Sequence, residues 1–237
     1  MASDQNLILE IEEALKRERT EKIFKEYGPY ILAGALLAIL FTGIISFYRS
    51  YEARVNAQQT GQLMEAMSSA DQAKALEELA PQLRPGARAI AYMTAAGALL
   101  GKDQNTEAQA IFAKTAADKT IPPLYSDLAT LMSVRLAISG DAKDQDAAAL
   151  LAKLQPLMAK GNPWRWHAHI EAALIAAHLQ NDYAAARAQL APVMNSTDQM
   201  PASLQGRART LDQVFSQKLG ALGTVKKDQP ATTDAEG

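Results

Sequence analysis

No charged side chain occurs between Tyr30 and Phe47, and ten of those eighteen positions are Leu, Ile or Phe. At a rise of about 1.5 Å per residue, the twenty residues 29–48 reach about 30 Å as a helix, the thickness of a bilayer's hydrocarbon core. A helix buried in a soluble core normally keeps a polar face, whereas here only Thr42 and Ser46 interrupt the apolar and small residues. A cleaved signal peptide carries a shorter apolar run nearer the N-terminus, ahead of small residues, whereas Tyr48-Arg49-Ser50-Tyr51 comes after this one. The stretch is therefore expected to be one uncleaved transmembrane helix. Within it Gly34, Ala38 and Thr42 recur every four residues, a small-residue stripe on which a second span can pack closely.

Basic residues set the orientation. Lys16, Arg17, Arg19, Lys22 and Lys25 precede the stretch, and only Arg49 and Arg54 come after it within a similar distance. The positive-inside rule keeps the N-terminus cytoplasmic and exports the C-terminal part of the chain. Tyr27, Tyr30, Phe47, Tyr48 and Tyr51 fit the two interfacial aromatic belts. Upstream, residues 4 to 27 read as a charged helix with Asp4 as N-cap and Leu7, Ile11 and Leu15 on one side.

Of the 237 residues, the remainder after the span is long enough for one domain with its own core. Residues 49–237 carry 19 basic and 19 acidic side chains, so that part has no electrostatic footprint for nucleic acid. The chain has no cysteine, which excludes disulfides and thiolate metal sites. Alanine is abundant and alternating β-branched runs are absent, so the expected class is all-α.

Turn signals divide the C-terminal part at Ser68-Ser69, Pro85-Gly86, Gly101-Lys102-Asp103, Ile121-Pro122-Pro123, Gly140-Asp141, Gly161-Asn162-Pro163, Asn181-Asp182 and Met200-Pro201. Between them lie segments of helical apolar spacing in a two-helix rhythm. Ala73, Ala108, Ala147 and Ala184 hold matching places at spacings of 35, 39 and 37. Tyr92 precedes Ala96, Tyr125 precedes Ala129 and Trp164 precedes Ala168, each by four. An aromatic and a small residue at that spacing, with a period near 34, resemble tetratricopeptide repeats, which implies an α-solenoid of helix pairs. The last helix, about Ala202 to Leu219, sets Leu204, Ala208, Leu211, Phe215 and Leu219 on one face, as a terminal cap requires. The expected layout is a cytoplasmic helix at 1–28, a span at 29–48, a tetratricopeptide-like domain at 49–219 and a disordered tail at 220–237.

No catalytic constellation emerges. His167 and His169 stand about 200° apart on a helix and cannot share a metal. His167, Glu171 and His178 read as a surface stripe. Phosphate-cradling glycine loops and nucleophile motifs are absent. The repeat register instead points to a protein-binding groove lined by first helices: Met93, Gly97 and Leu100, then Ser126, Thr130 and Ser133, then Arg165, His169 and Ala172.

The short charged tail, the run Lys22-Ile23-Phe24-Lys25-Glu26-Tyr27-Gly28 before one span, and the Ala-rich helical pairs after it resemble the YfgM-like proteins of the bacterial inner membrane. That resemblance implies a non-enzymatic adaptor without cofactors, ancillary to the SecYEG translocon. It would link the translocon to a PpiD-like periplasmic chaperone or to emerging unfolded polypeptides. A second class with the same layout is a scaffold for envelope assembly, in outer-membrane biogenesis or cell division.

Overall fold

The structure is a computed structural model that describes the backbone of residues 2–140 and 145–227, and side chains mainly from 37 to 221. The described residues form helices and no strand: α1 (Ala2–Met67), α2 (Gln72–Leu79), α3 (Pro85–Leu100), α4 (Asn105–Ala117), α5 (Pro123–Ser139), α6 (Ala147–Leu154), α7 (Arg165–His178), α8 (Tyr183–Met194) and α9 (Ala202–Lys227). Short 3-10 turns at Ala80–Gln82 and Gln155–Met158 extend α2 and α6.

Two compact units divide the chain, 1–58 and 59–237. The first is helical throughout its described backbone and begins at Ala2, ahead of the expected cap Asp4. From Leu37 to Ser50 every residue is exposed, including Leu37, Ile39, Leu40, Phe41, Ile44, Ile45 and Phe47. Gly34, Ala38 and Thr42 are exposed too, and the Thr42 hydroxyl donates to the Ala38 carbonyl at 2.8 Å. Among the described residues no helix is long and apolar enough to cross a membrane. The expected span falls partly outside them, at positions 29, 31–33, 35 and 36, as do the side chains of Leu7, Ile11 and Leu15.

The second unit is a series of antiparallel neighbours. Helix α2 packs on α3, α3 on α4, α4 on α5, α7 on α8 and α8 on α9, while the eight-residue α6 rests more lightly on α5 and α7. The turns fall where Gly, Pro, Asn and Asp punctuate the sequence. Asp103 takes a left-handed φ of 60°, and Gln104 N–H bonds back to the Leu99 carbonyl at 3.0 Å, which closes the end of α3. Asp146 caps α6 by accepting from Ala148 and Ala149, and Asp182 caps α8 by accepting from Ala185. Asn162 turns the chain into α7, accepting from the Trp164 amide while donating to Asp127 of α5 at 2.8 Å.

Three apolar clusters succeed one another along the unit. The first joins Leu63, Leu76, Tyr92, Ala96, Ala108, Phe112 and Ala129. The second builds on Leu131, Val134, Leu150, Leu154, Ala168 and Ile175. The third contains Ile170, Ala186, Leu190, Val193, Leu204, Ala208 and Phe215. Alanine at 96, 108, 129 and 168 is fully buried, so helices meet at backbone distance there. Tyr92 lies inside the first cluster, Tyr125 packs against it, and Trp164 packs against the second.

Three expectations are corrected. Ala184 is exposed, and Ala186 two residues on fills the helix contact. Ala73 and Ala108 are buried and Ala147 is half-buried, so the departure is confined to the last of the four matching places. Helix α9 runs on to Lys227 through Gly220, where a disordered tail was expected. A single glycine costs about 1 kcal/mol in a helix, too little to end one by itself. The rest of that tail, 228–237, lies outside the described residues. Glu171 is the third case: it is fully buried rather than part of a surface stripe, and His167 is half-buried beside it.

Candidate binding clefts

Among the described residues two open clefts lie in the second unit, one between α2 and α4 and the other between α4 and α6, so that α2, α4 and α6 are the second helices of the pairs and α3 and α5 the first. The first, about 550 Å³, is bounded by α2, the end of α3 and α4. Its floor is Ala73, Leu99, Ala110 and Ile111, and its rims are charged. Two ion pairs form there, Lys114 with Glu77 at 3.1 Å and Lys102 with Asp71 at 3.7 Å, and Lys74 and Glu107 add one further charge of each sign. The hydrogen bond to Glu77 raises the Lys114 pKa, against a smaller lowering by burial, and its ammonium stands 4.9 Å over the Tyr92 ring.

The second cleft, about 300 Å³, lies where α4, α5 and α6 meet. Ala113, Ala116 and Ala117 of α4, Thr130 and Ser133 of α5, and Lys153 of α6 line it. Alanine methyl groups cannot fill the gap left by the short, lightly packed α6, so the space stays open. Thr130 donates to the Ser126 carbonyl at 2.9 Å, whereas the Ser133 hydroxyl has no partner among the described residues.

Thr130 and Ser133 are thus the two predicted groove residues that share a cavity. Ser126 is half-buried and bonds to the Pro123 carbonyl. Met93 packs against the first apolar cluster. Arg165 sits 3.8 Å over the Trp166 ring and pairs with Asp198, and His169 contacts Gln189 and tilts against Trp166. These four line neither cleft. Sequence register placed the binding surface on the first helices. The clefts owe their walls equally to α2, α4 and α6, and the alanine run 110, 113, 116, 117 is the signal that marks them.

A buried polar group joins α5 to α7. Arg135 donates through Nε at 2.9 Å, and through Nη2, to one oxygen of Glu171, while the other oxygen and His167 Nδ1 have no partner among the described residues. Burial, and then the Arg135 charge, push the His167 pKa below its ordinary value. Burial does the same to His169, partly offset by its bond to Gln189. Among the described residues no group of His, Cys, Asp or Glu is placed to hold a metal ion.

Fold and clefts together define an all-α protein whose helix arrangement is consistent with a helical repeat. No family model matches the chain, and neither the curated proteins nor the solved structures searched contain a match.

Proposed function

We propose that the chain is a membrane-anchored, non-enzymatic adaptor. A single span at 29–48 leaves the N-terminus in the cytoplasm of a bacterium and carries a tetratricopeptide-like domain into the periplasm. There the domain binds polypeptide segments. The observation that carries this reading is the exposed apolar run from Leu37 to Tyr48, where Phe41 and Phe47 are 68% and 77% exposed. Contiguous apolar surface of that kind marks a membrane or a partner. Within it the Thr42 hydroxyl is satisfied by its own helix backbone, as lipid requires.

The layout that resembles the YfgM-like proteins assigns the partners: the SecYEG translocon, a PpiD-like periplasmic chaperone and unfolded clients. Gly34, Ala38 and Thr42 are the face assigned to a neighbouring span. Tethering raises effective concentration beside an exit channel into the millimolar range, so shallow clefts suffice. Crosslinking of the intact protein in its native membrane, followed by mass spectrometry, tests this. Adducts with translocon subunits and periplasmic chaperones support the adaptor. Adducts confined to outer-membrane biogenesis or division proteins replace those partners with envelope assembly, and recovery from the soluble fraction removes the anchor.

A further inference from the structure

The two clefts occupy equivalent places between successive second helices, yet they differ in one chemical respect. The lining of the first carries Lys74, Lys102 and Lys114 against Asp71, Glu77 and Glu107, so its charges balance, with Lys102 and Lys114 in ion pairs. In the second, the single charged group is Lys153, exposed and without an ion pair among the described residues. An uncompensated ammonium over an alanine wall favours an anion attached to an apolar body.

Ser133 supplies the second observation. It is only 6% exposed, and its hydroxyl meets no partner among the described residues. Its neighbours behave otherwise. Thr115 donates to the Ile111 carbonyl, Thr130 to that of Ser126, and Ser139 to that of Arg135, each spending its hydroxyl on its own helix. The Ser133 oxygen is not among the fully enclosed unpaired atoms of the described residues, so it faces the open cleft and is free to donate to a ligand there. The cavity wall therefore offers a donor below, a methyl-lined middle and a cation at the rim.

We propose that the cleft between α4 and α6 is a subsite for an extended polypeptide segment in which an aliphatic residue adjoins Asp or Glu. This rests on the adaptor reading and names the polypeptide it prefers. The aliphatic side chain lies against Ala113, Ala116 and Ala117, its peptide carbonyl accepts from Ser133, and the neighbouring carboxylate meets Lys153. A volume of about 300 Å³ admits such a residue without rearrangement of the helices.

The test uses the full chain in nanodiscs and fluorescence anisotropy with three labelled peptides, built on alternating Leu and Glu, Leu and Gln, and Leu and Lys. The Leu-Glu peptide should bind most tightly. Lys153→Glu should weaken it about tenfold and reverse the preference toward the Leu-Lys peptide. Ala113→Leu, at an exposed position where folding is not at risk, should fill the cavity and weaken all three peptides. Lys114→Glu, in the other cleft, should change the preference little. Equal binding of the three peptides, or Leu-Glu binding untouched by both Lys153→Glu and Ala113→Leu, overturns the subsite. Binding that laurate displaces while longer Leu-Glu peptides do not would assign the cavity to a lipid carboxylate and overturn it equally. The adaptor reading fails separately, by the absence of protein adducts in native membranes.

Discussion

Arg135 and Glu171, thirty-six residues apart, form a charge pair across the α5–α7 seam in which the Glu171 side chain is buried and the Arg135 side chain keeps about a third of its surface in solvent. The pair joins α5 directly to α7 beside the eight-residue α6, which rests only lightly on both. Removing one partner of a buried pair leaves an unmet charge, which costs about 3–5 kcal/mol, whereas replacing both with apolar side chains is often neutral. Because Arg135 is partly exposed, the lower end of that range applies. Arg135→Met should lower the thermal midpoint of the full chain clearly, and Arg135→Met with Glu171→Met should recover most of the loss. A double variant no more stable than the single one would show that the pair is not the source of the effect.

Ala108 and Ala184 give a matched test of the repeat contacts. They hold equivalent places in the sequence period, but Ala108 is fully buried and Ala184 is exposed. Ala108→Leu should destabilise the domain by about 1–3 kcal/mol through overpacking, while Ala184→Leu should stay within about 0.5 kcal/mol. Urea denaturation of the two variants reads the difference directly. Equal midpoints would remove Ala108 from a tight crossing.

Acid should weaken the domain through its two half-buried histidines. Burial lowers the pKa of both His167 and His169 from the ordinary value of 6.5. Above about pH 6.5 the folded and unfolded chains are both neutral at these rings, and the full stability is present. As pH falls through 6.5 the unfolded chain takes up protons first, so stability is lost toward the lower folded values. Thermal midpoints measured from pH 8 to pH 5 should fall on the acid side, and His167→Gln with His169→Gln should flatten that limb. An identical acid limb in the double variant would place the proton uptake elsewhere.

Exchange of residues 29–48 for an unrelated span of equal length separates anchoring from partner choice. Translocon co-purification should drop several-fold, while anisotropy with the Leu-Glu peptide should be unchanged. Recovery of the translocon at the original yield would make the Gly34, Ala38 and Thr42 face irrelevant to partner choice.

The helices and their turns were legible because their signals are local. Gly101-Lys102-Asp103 and Asn181-Asp182 terminate helices through backbone preference, and both sit at left-handed residues, Asp103 and Asn181. Tyr92 with Ala96, and Trp164 with Ala168, marked contacts that do form. Phase was harder. Nothing in a run such as Tyr183-Ala184-Ala185-Ala186 says which alanine meets the neighbouring helix, since all have the same side chain. Glu171 defied reading for a different reason. Its burial depends on Arg135, a partner thirty-six residues away that no helical period connects to it. The second cleft escaped because it arises from what α6 lacks: eight residues of helix leave space that a longer one would fill.

A chain threaded once through the membrane is the central claim, and the absence of cysteine makes it directly measurable. Single cysteines are placed by Ser3→Cys and, at an exposed position before α9, by Asn195→Cys. Spheroplasts are then treated with a membrane-impermeant maleimide before and after lysis. Asn195→Cys should label in intact spheroplasts, and Ser3→Cys should label only after lysis. Labelling of Ser3→Cys with protection of Asn195→Cys would reverse the orientation. Protection of both before lysis, with the protein recovered in the soluble fraction, would contradict the anchor itself.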